Sequence, residues 1–362
     1  MKNGRTRTRK RKQDHLDLFR GRGVSARGQT TWLECVRLLH QALPEMDLAE
    51  ADISASFAGR TFRAPFFITG MTGGTAKAAA INKTLARVAE AHGIGFGLGS
   101  QRAMLEEPRL LATYEVRSAA PDVFLAGNIG GVQAAATPAG RIREMLERIR
   151  ADALCIHLNP AQEMVQPEGD RTFSGVLDAV ATLVRELPVP VIVKETGAGL
   201  SRESAQRLKD AGVRHIDVAG AGGTSWVGAE VLRRRRGRGP DFSEFWDWGI
   251  PTAAALSEVE GLGLDVIGSG GLRTGLDAAA AIALGATLAG VAAPVIRAYF
   301  SGGARSVDRL LQSIEEGLKA AMVLTGSRTF SDLRAVPRVI TGDLLEWRRQ
   351  RAAHRREGDR GC

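Results

Sequence analysis

The chain has 362 residues, of which 44% are apolar and 5% aromatic, and its formal net charge is +9 at pH 7. No apolar run reaches the roughly 18 residues that a membrane-spanning helix requires, and the basic N-terminus lacks the apolar segment of a secretory signal. The positive clusters, at residues 2–27, 233–238 and after 348, carry no interleaved stacking aromatics and no nucleic-acid motif. We therefore expect no membrane and no nucleic-acid partner. The three cysteines are far apart and have no metal-type spacing, which favours a cytoplasmic location.

Residues 1–60 are predicted to form a basic N-terminal arm and extension. Residues 1–30 are rich in Arg, Lys, Gly and Thr and show little periodicity. Within them the run RKQDH at residues 11–15 precedes the apolar Leu16, Leu18 and Phe19. Composition alone favours a basic tail that is anchored by those apolar side chains.

Residues 61–330 alternate short apolar strands with amphipathic helices. Eight strands are predicted, at residues 65–68, 95–98, 123–126, 153–156, 189–193, 215–218, 265–267 and 287–291. Apolar strands that alternate with helices require a parallel sheet covered by helices, and eight such units predict a (β/α)8 TIM barrel. Chemistry in this fold lies at the C-terminal ends of the strands, where the polar clusters of this sequence fall. Residues 331–362 are predicted to be a C-terminal basic tail.

A polar heptad, HLNPAQE, follows the fourth predicted strand at residues 157–163. It offers one imidazole, two carboxamides and one carboxylate, from His157, Asn159, Gln162 and Glu163. A turn needs only Gly, Asn, Asp or Pro, so the pattern favours a shared ligand. The alternative is a polar loop whose side chains cap the next helix.

A glycine-rich loop, GSGGLRTG at residues 268–275, joins the seventh predicted strand to its helix. Glycines let backbone N–H groups approach an anion, and the loops after strands seven and eight of such barrels commonly hold phosphate. A phosphate pocket here predicts bound FMN, with the flavin ring lying toward strands one to five. A tight turn without a ligand is the alternative.

Polar residues that end strands one, two, three and five are expected to face the flavin ring. Residues 69–72 and Ser100 are candidates for its edge, while Asn128 and Lys194 end strands three and five. A lysine near the ring would favour the anionic reduced flavin by charge pairing. Alternatively, Lys194 pairs with Glu195 or another acid of the barrel.

An insertion at residues 228–248 interrupts the alternation of strands and helices after the sixth strand. Its aromatic residues are Phe242, Phe245, Trp246 and Trp248. A lid or subunit contact and simple local packing are equally consistent with this composition.

The ordered motifs of the chain resemble those of the type 2, flavin-dependent isopentenyl diphosphate isomerases. They are RKxxH at 11–15, TGMTGG at 69–74, GSQR at 99–102, GN at 127–128, HxNxxQE at 157–163, KE at 194–195, GGTSW at 222–226, DWGIPT at 247–252 and SGGLR at 269–273. Single motifs are common, but the ordered set covers most of the chain and is specific. The departures are modest: ten residues precede the RK pair, Ala293 stands where some relatives have Gly, and the arginine-rich loop at 233–240 gains no role.

The resemblance implies FMN and Mg²⁺ as cofactors, NADPH as the reductant of the flavin, and a diphosphate substrate. It assigns to the flavin Thr69, Gly70, Met71, Thr72, Ser100, Asn128, Lys194, Thr224, Gly271, Leu272, Arg273, Ala292 and Ala293. It assigns to the substrate diphosphate Arg11, Lys12, Ser100, Gln101, Arg102, His157, Asn159 and Gln162. Glu163 would hold Mg²⁺ against the diphosphate, because hard dications share oxygen ligands with phosphates. The basic arm would fold over this group and exclude water.

The implied reaction interconverts isopentenyl diphosphate and dimethylallyl diphosphate in isoprenoid biosynthesis. One carbon gains a proton and another loses one, with no net redox change. Ordinary side chains do not readily protonate an unactivated alkene, so the reduced flavin is the expected acid and base. Gln162, Glu163 and His157 are the catalytic side-chain candidates. We also expect a homo-oligomer, either a tetramer or an octamer.

Two other functions fit parts of the pattern. An FMN-dependent oxidoreductase of the hydroxy-acid oxidase or IMP dehydrogenase type would usually need a His base or Cys nucleophile after strand six or seven. Those loops hold Gly, Thr, Ser and Trp instead. A non-enzymatic anion-binding barrel, or a nucleic-acid binder, would rely on the arginine clusters alone. We therefore predict an FMN-dependent isomerase.

Overall fold

A computed structural model describes residues 14, 18, 24–234 and 240–358, with side chains described through residue 355. The strands in chain order are β1 (Val36–Leu38), β2 (Ala55–Phe57), β3 (Arg60–Phe62), β4 (Phe66–Ile68), β5 (Gly95–Gly97), β6 (Phe124–Gly130), β7 (Ala153–His157), β8 (Val191–Lys194), β9 (His215–Asp217), β10 (Asp265–Ser269), β11 (Leu288–Val291) and β12 (Arg338–Ile340). Strands β4 to β11 form a closed parallel barrel in sequence order, with β11 pairing with β4. Each barrel strand overlaps its predicted range, so the predicted (β/α)8 fold is confirmed.

Helices connect the barrel strands and cover their outer faces. They are α1 (Ala76–His92), α2 (Arg102–Glu106), α3 (Gly131–Ala135), α4 (Ala139–Ile149), α5 (Pro160–Val165), α6 (Val176–Glu186), α7 (Arg202–Asp210), α8 (Trp226–Arg233), α9 (Thr252–Val259), α10 (Gly275–Ala283), α11 (Ala293–Leu324), α12 (Phe330–Ala335) and α13 (Gly342–Gly358). The sequence marks Ser201 as a plausible helix N-cap, and in the structure it caps α7, since its hydroxyl accepts a hydrogen bond from the Ser204 N–H at 3.2 Å. In the described residues, no helix is long and apolar enough to span a bilayer.

The pairing register aligns polar residues at one end of the barrel. His157 of β7 lies opposite Lys194 of β8, and Lys194 lies opposite Asp217 of β9. Residues that are paired in register point toward the same face of a sheet. Three chemically active side chains therefore meet at the C-terminal rim.

An N-terminal hairpin of β2 and β3 closes the other end of the barrel. Its Phe57 and Phe62 are buried in a cluster with interior residues of the strands, among them Phe124. The Phe62 and Phe124 rings meet edge to face with centroids 5.3 Å apart, a favoured aromatic geometry. Phe57 packs 5.1 Å from the ring of His215, at the start of β9. The hairpin is thus part of the barrel core.

Two segments that are far apart in the sequence meet on the outside of the barrel. Strand β1 pairs antiparallel with β12, and α13 follows β12 within residues 331–362, the stretch that the sequence set apart as a basic tail. Trp347 of α13 donates to the Glu258 carboxylate at 2.8 Å, and Arg351 donates to the same carboxylate at 2.9 Å. Because Glu258 is buried on α9, these bonds attach α13 to the barrel.

His92 joins the first and last helices of the barrel. At the C-terminal end of α1, its Nδ1 lies 2.8 Å from the Glu315 carboxylate and its Nε2 lies 3.0 Å from that of Asp308, both on α11. The hydrogen bond to Glu315, followed by the charges of both acids, raises the pKa of His92 against the opposing effect of burial. A cation also suits a helix C-terminus, where the helix dipole is negative.

We predict that this contact makes stability pH-dependent. Since the folded-state pKa of His92 is raised, its stabilisation is fully present below the unfolded value of about 6.5 and is lost as the pH rises through the raised pKa. His92→Gln should lower the free energy of unfolding by about 1–3 kcal/mol at pH 6, with a smaller loss at pH 9. Denaturant titrations measure this difference, with the exposed His40→Gln as control. A loss that stays constant with pH would contradict a charged His92.

Candidate active site

A cavity with about 1480 Å³ of empty space opens at the C-terminal ends of the barrel strands. It brings together most of the residues that the sequence predicted for a site. Those that line it are Thr69, Gly70, Met71, Thr72, Ser100, Arg102, Asn128, His157, Asn159, Gln162, Glu163, Lys194, Thr224, Gly271, Leu272, Arg273, Ala292 and Ala293. Residues from strands across the whole barrel therefore share one chamber. Arg11 and Lys12, which were predicted to contact the substrate, lie outside the described residues.

Gln101 differs from the other described candidates, because it does not line this cavity. Its side chain is 0% exposed. Its Oε1 accepts a hydrogen bond from the Asn128 N–H at 2.9 Å, and its Nε2 faces the Met104 sulfur at 3.7 Å. Gln101 therefore supports the strand that carries Asn128 from behind the chamber wall.

The side of the cavity near β10 and β11 is suited to an anion. Helix α10 is already capped, since the Asp277 carboxylate accepts the N–H groups of Arg273 and Thr274 at 2.9 and 3.0 Å. Helix α11 begins after Ala292 without a side-chain cap, and its first residues line the cavity. A helix N-terminus that exposes N–H groups favours negative charge.

Two arginines reinforce this anion site. Arg273 and Arg297 both line the cavity. The Nε atom of Arg297 is buried and has no hydrogen-bond partner among the described residues, and burial together with the positive charge of Arg273 lowers the pKa of Arg297. Two cations that repel each other beside an uncapped helix N-terminus are stabilised by an anion between them. The geometry therefore fits the phosphate of a cofactor at the predicted loops.

The polar heptad after β7 lines the opposite side of the cavity. Asn159 donates from its amide nitrogen to Gln162 Oε1 at 3.2 Å and to Glu163 Oε1 at 3.0 Å. The other oxygen of Glu163 accepts the Asp170 N–H at 2.8 Å. His157 Nδ1 lies 2.8 Å from Asn128 Oδ1. These bonds fix the four predicted side chains in place, so the heptad is an ordered wall and not only a cap for α5.

Glu230 is a fully buried carboxylate beside this wall that the sequence did not single out. Its Oε1 accepts a hydrogen bond from Gln162 Nε2 at 3.2 Å, and its other oxygen pairs with Arg233. Arg233 also pairs with Glu168 at 2.9 Å and with Asp14 at 3.6 Å. A carboxylate that is buried one hydrogen bond behind a cavity amide has the position of a proton-relay group.

A buried charge pair lies at the centre of the cavity wall. Lys194 Nζ donates to the Glu195 carbonyl at 2.5 Å and lies 3.9 Å from Asp217 Oδ2. Asp217 Oδ1 accepts the Ser269 hydroxyl at 2.5 Å. Burial raises the pKa of Asp217, and the charge of Lys194 lowers it in part. Lys194 thus lines the cavity and pairs with an acid of the barrel, while its contact with a flavin stays a prediction.

The Glu195 carboxyl group lies in the loop immediately after β8. Burial raises its pKa to about 7, although the N–H groups of Ala198 and Thr196 donate to it and lower that value. Its bonds to those two N–H groups, each 2.5 Å long, hold the loop that supports Lys194. The carboxyl therefore organises the backbone and does not provide the partner charge of the lysine.

The N-terminal extension is attached beside the cavity mouth. Asp247 accepts the N–H groups of Arg27 and Gly28 at 2.8 and 2.7 Å. The Arg27 guanidinium lies 3.5 Å from the centroid of the Trp246 ring. Leu18 packs against an apolar cluster formed by Val24, Ala229 and Trp246. Asp14 and Leu18 thus both contact residues on or near α8, whereas Arg11 and Lys12 lie outside the described residues.

The aromatic insertion contributes both packing and exposed surface. Trp246 is buried, and its indole N–H donates to the Ser25 carbonyl at 3.0 Å. Trp248 is 62% exposed and packs edge to face against Phe245 at 5.7 Å. Local packing thus accounts for Trp246. Residues 235–239 of the arginine-rich loop lie outside the described residues.

Arg297 and Gln166 line the cavity and Glu230 lies behind it, and sequence reasoning missed all three. Arg297 follows the predicted phosphate-binding pair Ala292-Ala293 by one helical turn, which is the available signal for it. Glu230 and Arg233 have the i,i+3 spacing of an ordinary exposed ion pair, so their burial had no signal. Gln166 lies three residues beyond Glu163, about one helical turn. It stands outside the polar heptad at residues 157–163, so the motif did not include it.

Comparisons with known proteins agree with this architecture. A family model described as FMN-dependent dehydrogenase matches residues 132–338. Isopentenyl-diphosphate delta-isomerase of Pyrococcus furiosus is 47% identical and aligns with 96% of this chain and 90% of its own length. The enzyme of that name from Methanosarcina mazei is 45% identical, with 95% of each chain covered.

Solved structures show the same fold at lower identity. A mandelate oxidase mutant with (S)-mandelic acid has a TM-score of 0.62 and 19% identity, and covers 92% of this chain and 94% of that chain. Mandelate oxidase with 3,3-difluoro-2-hydroxy-3-phenylpropionic acid has a TM-score of 0.61 and 19% identity, and covers 92% and 98%. At this identity the likeness concerns the fold alone.

Proposed function

The chain belongs to the isopentenyl-diphosphate delta-isomerase family, and we propose that it interconverts isopentenyl and dimethylallyl diphosphate with FMN and Mg²⁺. The observation that carries this proposal is one chamber with two different ends. One end has Arg273 and Arg297 beside an uncapped helix N-terminus, and the other has carboxamides and the Glu163 carboxylate. Two phosphorylated ligands with reacting parts between them fit such a chamber.

FMN fits the end near β10 and β11. Its phosphate would neutralise Arg273 and Arg297 and would accept N–H groups at the start of α11. The predicted flavin residues Thr69 to Thr72, Ser100, Asn128, Lys194 and Thr224 line the remaining wall. When bound and reduced, for which we propose NADPH as the reductant, the flavin supplies an acid–base group beside the substrate double bond.

The substrate diphosphate and Mg²⁺ fit the heptad end. Mg²⁺ is usually held by one or two carboxylates together with substrate phosphates and several waters. Glu163 is the carboxylate among the described cavity-lining residues, and no group of three metal-ligating side chains occurs in the described part of the chain. Glu163 would thus hold the cation against the diphosphate. His157, Asn159 and Arg102 supply donors around this group.

The N-terminal arm supports the same placement of the diphosphate. Asp14 lies 3.6 Å from Arg233, whose guanidinium also holds Glu230. Arg11 and Lys12 precede Asp14 by three and two residues, so the chain can bring both cations to the mouth. We propose that they cover the diphosphate and exclude water from it.

Gln162 and Glu230 provide a protein route for a proton. The isomerisation adds one proton to a terminal carbon and removes another from the carbon beside the double bond, so two acid–base positions are required. Gln162 lines the cavity, and its Nε2 donates to Glu230 Oε1. Gln162 Oε1 would take a proton from the substrate carbon while Gln162 Nε2–H passes a proton to Glu230 Oε1, and the reverse transfers would restore the amide.

The alternative function is an FMN-dependent oxidoreductase, which the similarity of the fold to that of mandelate oxidase suggests. Oxidation of a hydroxy acid requires a base that removes the hydroxyl proton, and His is the usual group. Among the described residues that line the cavity, His157 is the one histidine, and its Nδ1 is 2.8 Å from Asn128. Among the described residues, the loops after β9 and β10 contribute Ala, Gly, Thr, Trp, Leu and Arg to the cavity and neither a His nor a Cys, which favours the isomerase.

The oligomeric state and the cellular location of the protein were also predicted from the sequence. A homo-oligomer, either a tetramer or an octamer, and a cytoplasmic location stay proposals. The exposed Trp248 and Phe245 offer an apolar surface near the cavity mouth, of a kind that subunit contacts use. Sedimentation of the holoenzyme measures its oligomeric state directly.

We predict that the purified protein is yellow and isomerises isopentenyl diphosphate only after reduction. Anaerobic assays with Mg²⁺ would compare the oxidised protein with protein treated with dithionite or NADPH. Stoichiometric flavin consumption, or product formation by the oxidised form, would contradict the proposed role of the flavin. Oxidation of a hydroxy acid would favour the alternative.

We predict that Arg297→Gln weakens FMN binding about tenfold or more, since a charge-assisted bond to phosphate is lost. The stability of the apoprotein should not fall, because the substitution removes a buried cation that is repelled by Arg273. Fluorescence titration of apoprotein with FMN measures the dissociation constant. The control is Arg305→Gln, an exposed position on the same helix. Equal FMN affinity in both variants would move the phosphate away from Arg297.

We predict that Glu230→Gln lowers kcat about 100-fold or more, the usual contribution of an acid–base group, with FMN retained and KM little changed. Glu168→Gln is the matched control, because Glu168 also pairs with Arg233 but is not the carboxylate to which Gln162 donates. Proton exchange between substrate and deuterated water should slow in the first variant. A similar loss of kcat in both variants would assign the effect to Arg233 and not to proton transfer.

A further inference from the structure

Gln166 is a buried glutamine with no hydrogen-bond partner for its side chain. It is 1% exposed, and neither its Nε2 nor its Oε1 has a partner among the described residues. Its side chain nevertheless lines the main cavity. Buried polar atoms without partners are destabilising, so an amide that is unpaired at both ends points to a ligand.

The backbone around Gln166 holds this amide in place. Its N–H donates to the Gln162 carbonyl at 2.9 Å, and its carbonyl accepts the Arg171 guanidinium at 3.0 Å. The preceding carbonyl, of Val165, accepts Arg234 at 2.6 Å. These bonds fix the backbone on both sides of the residue, and burial restricts the rotamers of its side chain. The amide is therefore presented to the cavity by the fold.

The chemistry of an amide selects the ligand. Its NH₂ group requires an acceptor, and its oxygen requires a donor or a cation. A fully ionised diphosphate alone satisfies only the nitrogen, and an apolar chain satisfies neither atom. A hydrated divalent cation bound to a diphosphate satisfies both, because Mg²⁺ keeps several waters that donate hydrogen bonds.

The neighbouring side chains of Glu163 and Gln162 already have protein partners, whereas that of Gln166 has none among the described residues. Glu163, one helical turn earlier, already accepts from Asn159 and from the Asp170 N–H. The Oε1 of Gln162 accepts from the Asn159 amide. Waters on a cation held by Glu163 need further acceptors, and the Gln166 oxygen is one with no protein donor.

We infer that Gln166 binds the cation–diphosphate end of the substrate, with its carboxamide oxygen toward the hydrated cation and its nitrogen toward a phosphate oxygen. This inference rests on the proposed function and adds a binding residue to the same site. Gln166 is a specificity residue for the metal-bound form of the diphosphate.

The test is calorimetric binding of Mg²⁺ with inorganic pyrophosphate to the FMN holoenzyme. Gln166→Leu should weaken Mg²⁺–pyrophosphate binding about tenfold, while FMN affinity stays unchanged. Its resistance to denaturant should equal or exceed that of the wild type, because an unpaired buried amide is replaced by an apolar side chain of similar volume. Gln133→Leu provides the contrast: this amide donates to Asp170 at 2.8 Å, so its loss should reduce stability.

Two further variants distinguish binding of the metal from binding of the diphosphate. Glu163→Gln should also weaken binding in the presence of Mg²⁺, and Gln166→Glu should weaken binding of pyrophosphate without metal, since a second carboxylate repels it. Unchanged Mg²⁺–pyrophosphate affinity in Gln166→Leu, or a loss of FMN affinity or stability instead, would overturn the inference. Wild-type holoenzyme that does not bind Mg²⁺–pyrophosphate would overturn the proposed function as well.

Discussion

Parallel pairing in register across β7, β8 and β9 is the constraint on which the site depends, because it sets His157, Lys194 and Asp217 side by side. Charges gathered in a low-dielectric interior must be compensated. Asp217 pairs with Lys194 and accepts from Ser269, while His157 contacts Asn128. The centre of the chamber is thus satisfied by the protein itself, and its polar groups are oriented before any ligand arrives.

Unsatisfied groups are found instead at the two ends of the chamber. Among the described residues, Arg297 has a buried nitrogen without a partner at one end, and Gln166 has an unpartnered amide at the other. Natural proteins pair nearly all buried polar atoms, which is why we propose ligands at these two positions. The same barrel carries oxidase chemistry in proteins of similar fold, and the difference lies in which side chains the loops present.

The fold could be predicted because its signals are local and repeated. Each barrel strand is a short apolar run bounded by glycines or polar residues, and Ser201 shows that a helix start was also legible. Most of the candidate site followed, since strand ends must converge in a parallel barrel. Gln101, Glu230 and Arg297 show what did not follow. Whether a side chain points into a cavity or behind it depends on helix phase and packing, which one sequence does not encode locally.

The hairpin of β2 and β3 determines how small molecules can reach the cavity. Phe57 and Phe62 fill the barrel from below, so the cavity formed by the described residues opens at the opposite rim. If FMN and the diphosphate share this chamber as proposed, both would pass through that rim. Product would then leave by the path that the next substrate takes.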